Sequence, residues 1–346
     1  MRDVLDTLER WIGEGREIVA ATVIRTERSA PRDPGAVLAV SETGAVAGSV
    51  TGGCVEPAVY EEAQEVLAGG PPRLVSYGIA DEEAFDVGLP CGGTVHIFVD
   101  RLESSVVQQL SEAVRVESPI ALTFPIVGPR IGGGTLITPD TPNGEAADAA
   151  KQLLARGETA VVELGGSEIF VSSFAPRPRM YVFGAIDFAS TVASIGKFLG
   201  YHVTVCDARA KFVTPERFPG IDELVAQWPD EFLADAPIDE RTAICVLTHD
   251  DRFDVPILKV AVQTEAGYIG AMGSRRTTEK RLERLKDEGL SEKAIERIHA
   301  PIGLKIGARS PEEVAVTIAA QIIQVFRSGS PRTSPSTQAA STQAAG

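Results

Sequence analysis

Tyr181-Val-Phe-Gly184 ends an apolar run and leads into a helical pattern, and this strand–turn–helix decides the fold class. Met180–Phe183 predicts a buried strand, and the apolar spacing over Phe188–Leu199 predicts a helix behind the glycine. Three more predicted strands follow, Tyr201–Cys206, Thr242–Leu247 and Tyr268–Ala271, and a helix is predicted at Phe253–Thr264 between the last two. Such alternation is typical of a parallel sheet covered on both faces. The sequence therefore predicts an α/β fold with a Rossmann-like parallel-sheet domain over residues 180–328.

The chain ahead of this domain has a different pattern. Strands are predicted at Glu17–Ile24 and Ala36–Val40, and a helix at Glu56–Leu67. Residues 102–173 add helix- and strand-like segments without a chemical motif. Pro176-Arg-Pro-Arg179 is a stiff connector, because each residue before a proline avoids the helical region. We therefore expect an N-terminal α+β domain over residues 1–175.

The last helix is marked by its own sequence. Ser310 is a good N-cap, Pro311 suits the first helical position and Glu313 completes a capping box. Beyond it, residues 329–346 form a low-complexity tail in which Ser-Thr-Gln-Ala-Ala occurs twice. We assign this tail no function.

Composition excludes several classes of function. The 346-residue chain has a formal net charge of −15, which repels phosphate backbones and argues against general binding of nucleic acid. The N-terminus lacks the pattern of a signal peptide, and no apolar run is long enough for a membrane span. The four cysteines, Cys54, Cys91, Cys206 and Cys245, suit a reducing compartment better than a disulfide framework. We expect a cytoplasmic protein that binds neither nucleic acid nor membrane.

The turn at Gly184 is a candidate nucleotide site. A glycine there allows a tight turn and directs the positive end of the next helix at a phosphate. Asp207 ends the second strand, 23 positions later, where an acidic residue usually meets a ribose hydroxyl. The dinucleotide fingerprint is broken, however, because Ile186 replaces the second glycine and Asp187 adds a negative charge. An α/β domain that binds no dinucleotide here is the alternative.

Two cysteines lie in similar glycine loops, Gly52-Gly-Cys54-Val-Glu56 and Pro90-Cys91-Gly-Gly93. Neighbouring glycines, among them Gly53 and Gly92, let the backbone approach a ligand. Cys54 precedes a predicted helix, whose N-terminus favours a thiolate. Cys54 and Cys91 are therefore candidates for holding a soft metal or carrying a sulfur atom. The alternative is two small buried residues in tight turns, and we place Cys206 and Cys245 in the core.

Two further candidates follow strands of the Rossmann-like domain. In Thr248-His-Asp-Asp251, His249 is a candidate acid, base or ligand, and Asp250 a candidate binding residue. In Gly270-Ala-Met-Gly-Ser-Arg-Arg-Thr277, Ser274, Arg275 and Arg276 precede a helix and predict an anion site. A structural histidine is the alternative for His249. A solvated helix face is the interpretation we favour for Arg284.

Together these motifs resemble the XdhC/CoxI family, accessory proteins of molybdenum hydroxylases such as xanthine dehydrogenase. The N-terminal resemblance rests on Ser29-Ala-Pro-Arg-Asp-Pro-Gly-Ala36, Gly48-Ser-Val-Thr-Gly-Gly-Cys-Val-Glu56 and Cys91-Gly-Gly93. The C-terminal resemblance rests on the two motifs above with Pro301-Ile-Gly-Leu304 and Pro311-Glu-Glu313. Departures are Gly184-Ala-Ile-Asp187, where the family usually has Gly-Ala-Gly-His, and Thr317 and Gln321, where Ser and Glu are expected.

The resemblance implies a protein that binds molybdenum cofactor (molybdopterin), assists its sulfuration, protects it and inserts it into an apo hydroxylase of the xanthine dehydrogenase type. It also implies a cysteine desulfurase as a partner, and we expect a homodimer. The chain is then a maturation chaperone rather than a turnover enzyme. The alternative is an NAD(P)-dependent oxidoreductase, which the Rossmann order and Asp207 favour. The chain is too short to be the hydroxylase itself and lacks cysteine clusters for iron–sulfur centres.

Overall fold

The computed structural model describes residues 1–28, 32–78, 93–248 and 250–328. The chain forms two compact units, Met1–Pro176 and a second that begins at Arg177. Within the described residues no helix is long and apolar enough to cross a bilayer.

The N-terminal unit combines two antiparallel sheets with four α-helices. Its helices are α1 (Leu5–Gly13), α2 (Glu56–Leu67), α3 (Ser104–Arg115) and α4 (Glu145–Arg156). Its strands are β1 (Ile18–Glu27), β2 (Val37–Ser41), β3 (Val46–Gly48), β4 (Arg73–Tyr77), β5 (Thr94–Arg101), β6 (Ile120–Val127), β7 (Thr135–Ile137), β8 (Ala160–Leu164) and β9 (Ser167–Phe174). The sheet orders are β3-β2-β1-β5-β4 and β7-β6-β9-β8. This is the predicted α+β class.

A shared apolar core joins the two sheets of this unit. Phe98 of β5 stacks on Phe124 of β6, with ring centroids 5.2 Å apart. The first seven residues of β1 are all buried, because its opposite face packs under α2. A strand covered on both faces has a continuous apolar sequence rather than an alternating one, as in Ile18–Ile24.

The C-terminal unit is built on one parallel sheet. Its strands are β10 (Arg179–Phe183), β11 (His202–Cys206), β12 (Glu223–Val225), β13 (Ala243–Val246), β14 (Tyr268–Ala271) and β15 (Ile298–His299). Its helices are α5 (Asp187–Phe198), α6 (Pro229–Asp235), α7 (Asp251–Ala261), α8 (Arg275–Asp287), α9 (Glu292–Ile295) and α10 (Pro311–Ser328). The strand order β12-β11-β10-β13-β14-β15 is the doubly wound order of Rossmann folds, which confirms the predicted fold class.

Side chains of β10 alternate between two layers of helices. Met180 and Val182 enter the core beneath α5 and α10, while Tyr181 and Phe183 enter the core beneath α6, α7 and α8. All four are at most 3% exposed. Burying an apolar side chain of this size stabilises the fold by about 1.5–3 kcal/mol, so both layers hold the sheet.

The predicted capping box of the last helix is present. The hydroxyl of Ser310 accepts a hydrogen bond from the Glu313 N–H at 3.2 Å, and the Glu313 carboxylate accepts one from the Ser310 N–H at 3.2 Å. The apolar stripe of α10 packs on the sheet through Ile318 and Ile322.

Candidate functional site

The sheet order places a crevice between the carboxyl ends of β10 and β13. Chain connections leave these neighbouring strands in opposite directions, and ligands of doubly wound sheets bind at such a point. Gly184 follows β10 with a φ of +99°, and its N–H donates to the Cys206 carbonyl at 2.9 Å. A Cβ on Gly184 would lie 2.5 Å from Cγ2 of Thr248. The glycine is therefore required by the approach of the Thr248 backbone as well as by the turn.

Asp207 lies at this crevice, but its carboxylate is fully used within the protein. Oδ1 accepts from the backbone N–H and Nε of Arg209, at 2.8 and 2.9 Å. Oδ2 accepts from the Ala185 N–H at 2.7 Å and from Nη2 of Arg209 at 2.8 Å. Burial on its own would raise the pKa of Asp207, but the bonds from Arg209 and Ala185 outweigh it and lower this pKa. A ribose hydroxyl would have to displace one of these donors.

Sequence reasoning did not single out Arg209. The sequence feature that indicates its role is its position two residues after Asp207, at the end of a strand, from which an arginine can bond to that carboxylate.

A buried polar network connects the crevice to the loop that follows β14. The hydroxyl of Thr248 donates to Asp254 of α7, and Asp254 forms an ion pair with Arg281 of α8. Nη1 of Arg281 donates to the Met272 carbonyl after β14 at 2.9 Å. Asp254 is 0% exposed and Arg281 2%. In the sequence Arg281 stands among basic residues of a helix, and Asp254 among apolar ones.

Asp250 caps a helix. It is the N-cap of α7, and its carboxylate accepts from the Arg252 N–H at 3.0 Å and from Nη2 of Arg252 at 2.6 Å. The bonds from Arg252 hold the pKa of Asp250 at about 2. His249 lies outside the described residues, so its predicted role stays a prediction.

The predicted anion loop follows β14. Ser274 is the N-cap of α8, and its hydroxyl accepts from the Thr277 N–H at 3.2 Å. Arg275 and Arg276 are exposed in the first turn, where positive charge opposes the helix dipole. They form no ion pair with any residue that the structure describes. Their role as anion ligands stays a prediction.

The Cys54 loop of the N-terminal unit is organised by Glu56. The carboxylate of Glu56 accepts hydrogen bonds from five backbone N–H groups of the loop, including that of Gly53 at 2.8 Å. It also accepts from the hydroxyls of Ser49 at 2.7 Å and Thr51 at 2.8 Å. Gly52 and Gly53 have φ values of +88° and +124°, which only glycine adopts readily. The glycines and Glu56 together fix the loop that carries Cys54, whose side chain packs in part against the apolar core beneath α2.

The cysteines differ in burial. Cys54 is half-buried, whereas Cys206 and Cys245 are buried in the core as predicted. Burial raises the pKa of Cys206 and of Cys245 to about 12, which keeps both as thiols. Cys91 and Gly92 lie outside the described residues, so a site shared by Cys54 and Cys91 stays a prediction.

Replacing Glu56 with glutamine is expected to destabilise the loop. Burial alone would raise the pKa of Glu56, but the hydrogen bonds of Ser49 and Thr51 outweigh it and lower this pKa from 4.5 to about 2. The stabilisation is therefore present above pH 4.5 and is lost as the pH falls towards 2. We expect Glu56→Gln to lower the free energy of unfolding by about 1–3 kcal/mol at pH 7, and by less at pH 3.

Urea denaturation of the full chain at both pH values measures this difference. Glu61→Gln, on an exposed residue of the same helix, is the control for the lost charge. Equal stability of Glu56→Gln and the control at pH 7 would contradict the proposed role of the carboxylate.

Two cavities lie apart from the predicted site residues. One of about 360 Å³ in the C-terminal unit is lined by Arg179, Tyr181 and His202 of β10 and β11, among others. One of about 540 Å³ in the N-terminal unit is lined by Arg32 and Ser172, among others. None of the described site residues lines either cavity.

Comparison with known proteins matches both units. Residues 11–78 match the model of the XdhC and CoxI family, and residues 180–322 match that of the XdhC Rossmann domain. A probable xanthine dehydrogenase subunit of Bacillus subtilis is 27% identical over 325 residues, covering 92% of this chain and 96% of that protein. The molybdenum cofactor insertion chaperone PaoD of Escherichia coli is 28% identical over 326 residues, covering 94% and 88%.

The fold also matches a solved structure. A crystal structure of a xanthine dehydrogenase from Bacillus halodurans superposes with a TM-score of 0.69 at 24% sequence identity. The match covers 96% of this chain and 98% of that one. At this identity the likeness shows a common fold.

Proposed function

We propose, from the premise that this chain belongs to the XdhC and CoxI family, that it is a maturation chaperone of molybdenum cofactor. Its cargo would be molybdopterin with its metal, which it protects and inserts into an apo hydroxylase of the xanthine dehydrogenase type. The name of the Escherichia coli relative supports this role, since similarity to that insertion chaperone extends over 94% of this chain.

The observation that carries the proposal is the Cys54 loop. Of the three cysteines in the described part of the chain, Cys54 alone is not buried. Glu56 holds the loop in shape by accepting hydrogen bonds from five of its N–H groups, so the loop that carries Cys54 is ordered without a ligand. A thiolate is a good ligand for molybdenum and a good acceptor for sulfur. We propose that Cys54, with Cys91, contacts the metal or its sulfur.

The proposal also covers the partner proteins, the oligomeric state and the cellular location. Sulfuration requires a sulfur donor, so a cysteine desulfurase is the second proposed partner, beside the apo hydroxylase. Exposed apolar side chains of the C-terminal unit, Phe198, Val316 and Ile323, offer surface that a homodimer would bury. We propose a cytoplasmic location, because a chain with four cysteines and a thiol function suits a reducing compartment.

An NAD(P)-dependent oxidoreductase is the second candidate. The doubly wound strand order favours a nucleotide in the C-terminal crevice. Two features argue against binding of unphosphorylated NAD. The carboxylate of Asp207 is already bonded to Arg209, and Asp187 places a negative charge at the start of α5.

Cys54→Ala is expected to weaken molybdopterin binding about tenfold or more, since even an outer partner of a metal ligand contributes 10–100-fold. Anaerobic titration of the full chain with molybdenum cofactor, followed by quenching of the protein's tryptophan fluorescence, measures the affinity. Cys245→Ala is the matched control, because it removes a thiol that is buried in the core. Unchanged affinity in both Cys54→Ala and Cys91→Ala would contradict the proposal.

A further inference from the structure

We infer that Arg209, Phe212 and Arg217 form an anion subsite of the C-terminal crevice, which takes a phosphomonoester on the ligand. None of the three is among the residues that the sequence motifs point to. The inference rests on the proposed function only in naming a pterin as one source of the phosphate, since the crevice itself follows from the strand order. The phosphate belongs either to a phosphorylated ribose of a nucleotide or to the terminal phosphate of a pterin.

The Arg209 guanidinium is held in a fixed orientation. It forms a bidentate ion pair with Asp207, in which Nε donates to Oδ1 at 2.9 Å and Nη2 donates to Oδ2 at 2.8 Å. Asp207 is 2% exposed, while the Arg209 side chain is 47% exposed. Two of five guanidinium donors are thus used. The other three make no hydrogen bond to a residue in the described ranges, and they remain available to an anion.

Phe212 brings a second arginine to the same place. The guanidinium carbons of Arg209 and Arg217 lie over the Phe212 ring, 4.8 and 5.2 Å from its centroid. The ring is 41% exposed, so the cluster faces solvent rather than the core. Stacking on an aromatic face attracts a guanidinium and restricts its motion. Two cations that would repel each other are thereby held around one ring.

The cluster borders the crevice. Asp207 also accepts from the N–H of Ala185, the residue after the glycine of the β10 turn. Nη2 of Arg217 lies 3.6 Å from the carboxylate of Asp187, the first residue of α5. Both arginines therefore lie beside the start of α5, where a doubly wound fold normally binds phosphate.

The chemistry of these groups selects a phosphate over a free ribose diol. A diol needs a carboxylate acceptor, and the four lone-pair positions of Asp207 are taken. Asp187 disfavours an anion directly on the N-terminus of α5. At 93% exposure its pair with Arg217 is a weak surface ion pair, which a doubly charged anion can replace. A doubly charged phosphomonoester with three acceptor oxygens suits a site with two guanidinium groups around one ring.

The test compares ligands that differ by one phosphate, with the full chain. In the nucleotide arm, isothermal titration compares 2′,5′-ADP with 5′-AMP. In the pterin arm, fluorescence titration compares the oxidised pterin released from molybdenum cofactor before and after phosphatase treatment. We expect the phosphate to tighten binding about tenfold or more in one arm, as for a charge-assisted bidentate contact. That arm identifies the source of the phosphate.

Variants assign this gain to the cluster. Arg217→Gln and Phe212→Leu should each remove most of the gain, and Arg209→Gln all of it. Arg209→Gln also removes the partner of the buried Asp207 carboxylate and can misfold for that reason. Arg217→Gln and Phe212→Leu leave that pair intact, so they still test the subsite in that case. Lys211→Gln is the control, because it removes the same charge from an exposed neighbour in the same segment and should keep the full gain.

The outcomes separate this inference from the proposed function. A gain below twofold in both arms, or no saturable binding of any probe, overturns the subsite. A gain that survives in both Arg217→Gln and Phe212→Leu overturns it as well. A cluster-dependent gain in the nucleotide arm, in a protein that binds no molybdopterin, keeps the subsite and rejects the chaperone.

Discussion

Replacing Arg281 with methionine is expected to lower the free energy of unfolding of the C-terminal unit by about 3–5 kcal/mol, because it breaks the ion pair of a buried carboxylate. Asp254 and Arg281 are both almost fully buried, and their pair joins α7 to α8. The same guanidinium holds the Met272 carbonyl at the end of β14. Loss of the arginine should therefore loosen the loops after β13 and β14 together. Hydrogen–deuterium exchange of these peptides, with urea denaturation, measures both effects in the full chain.

The double variant Asp254→Leu/Arg281→Met separates the ion pair from simple packing. Replacing a buried ion pair by apolar residues of similar volume is often neutral, so the double variant should recover at least about half of the loss. Nε of Arg281 has no hydrogen-bond partner within the described residues, so part of its desolvation cost is not recovered in the wild type. A loss below about 1 kcal/mol in Arg281→Met would show that the pair does not hold the loops.

Gly184→Ala is expected to lower the free energy of unfolding by about 2–5 kcal/mol, the sum of two costs. The φ of +99° strains any residue with a Cβ, and the new methyl group would lie 2.5 Å from Cγ2 and 3.0 Å from N of Thr248. The backbone of Thr248 belongs to the adjacent strand end, so it cannot yield without separating β10 from β13. The variant should also lose ligand binding in the crevice. Urea denaturation and probe titration measure the two losses.

Gly200→Ala is the matched control for the backbone cost. Gly200 has a φ of +86°, yet an added Cβ would meet no atom within 4 Å. It should cost about 1–2 kcal/mol, and the difference between the two variants then measures the contact with Thr248. Equal losses would mean that the approach of the two strands does not require glycine.

The fold class followed from sequence because its signals are local. Apolar runs of four to six residues, such as Met180–Phe183, alternate with helical patterns, and this alternation permits few arrangements other than a parallel sheet. The arrangement of the two antiparallel sheets in the N-terminal unit could not be predicted in this way. Their common core depends on contacts such as Phe98 with Phe124, which are distant in sequence and leave no periodic signal.

The site was predicted in position more than in detail. The turn at Gly184 and the acid at Asp207 lie at the crevice where the sequence placed them, because strand ends of a parallel sheet meet at one edge. The occupation of Asp207 by Arg209, and the stacking of Arg217 on Phe212, depend on side-chain geometry in an irregular segment. The role of Glu56 could not be predicted from the sequence either. Its neighbours donate to it through backbone N–H groups, which leave no signal in the choice of residues.

If the chain is a carrier as proposed, the Glu56 loop affects how fast cargo would be released. A carrier passes through an empty state in every cycle, and a loop that became ordered only around its cargo would lose that order at each release. Here five of the loop's N–H groups already donate to Glu56 in the absence of cargo. Under the proposed function, loading and unloading would leave the backbone unchanged, so the residence time would depend on the proposed bonds to the thiol and the metal. A carrier built in this way can bind tightly and still deliver promptly to a client that offers better ligands.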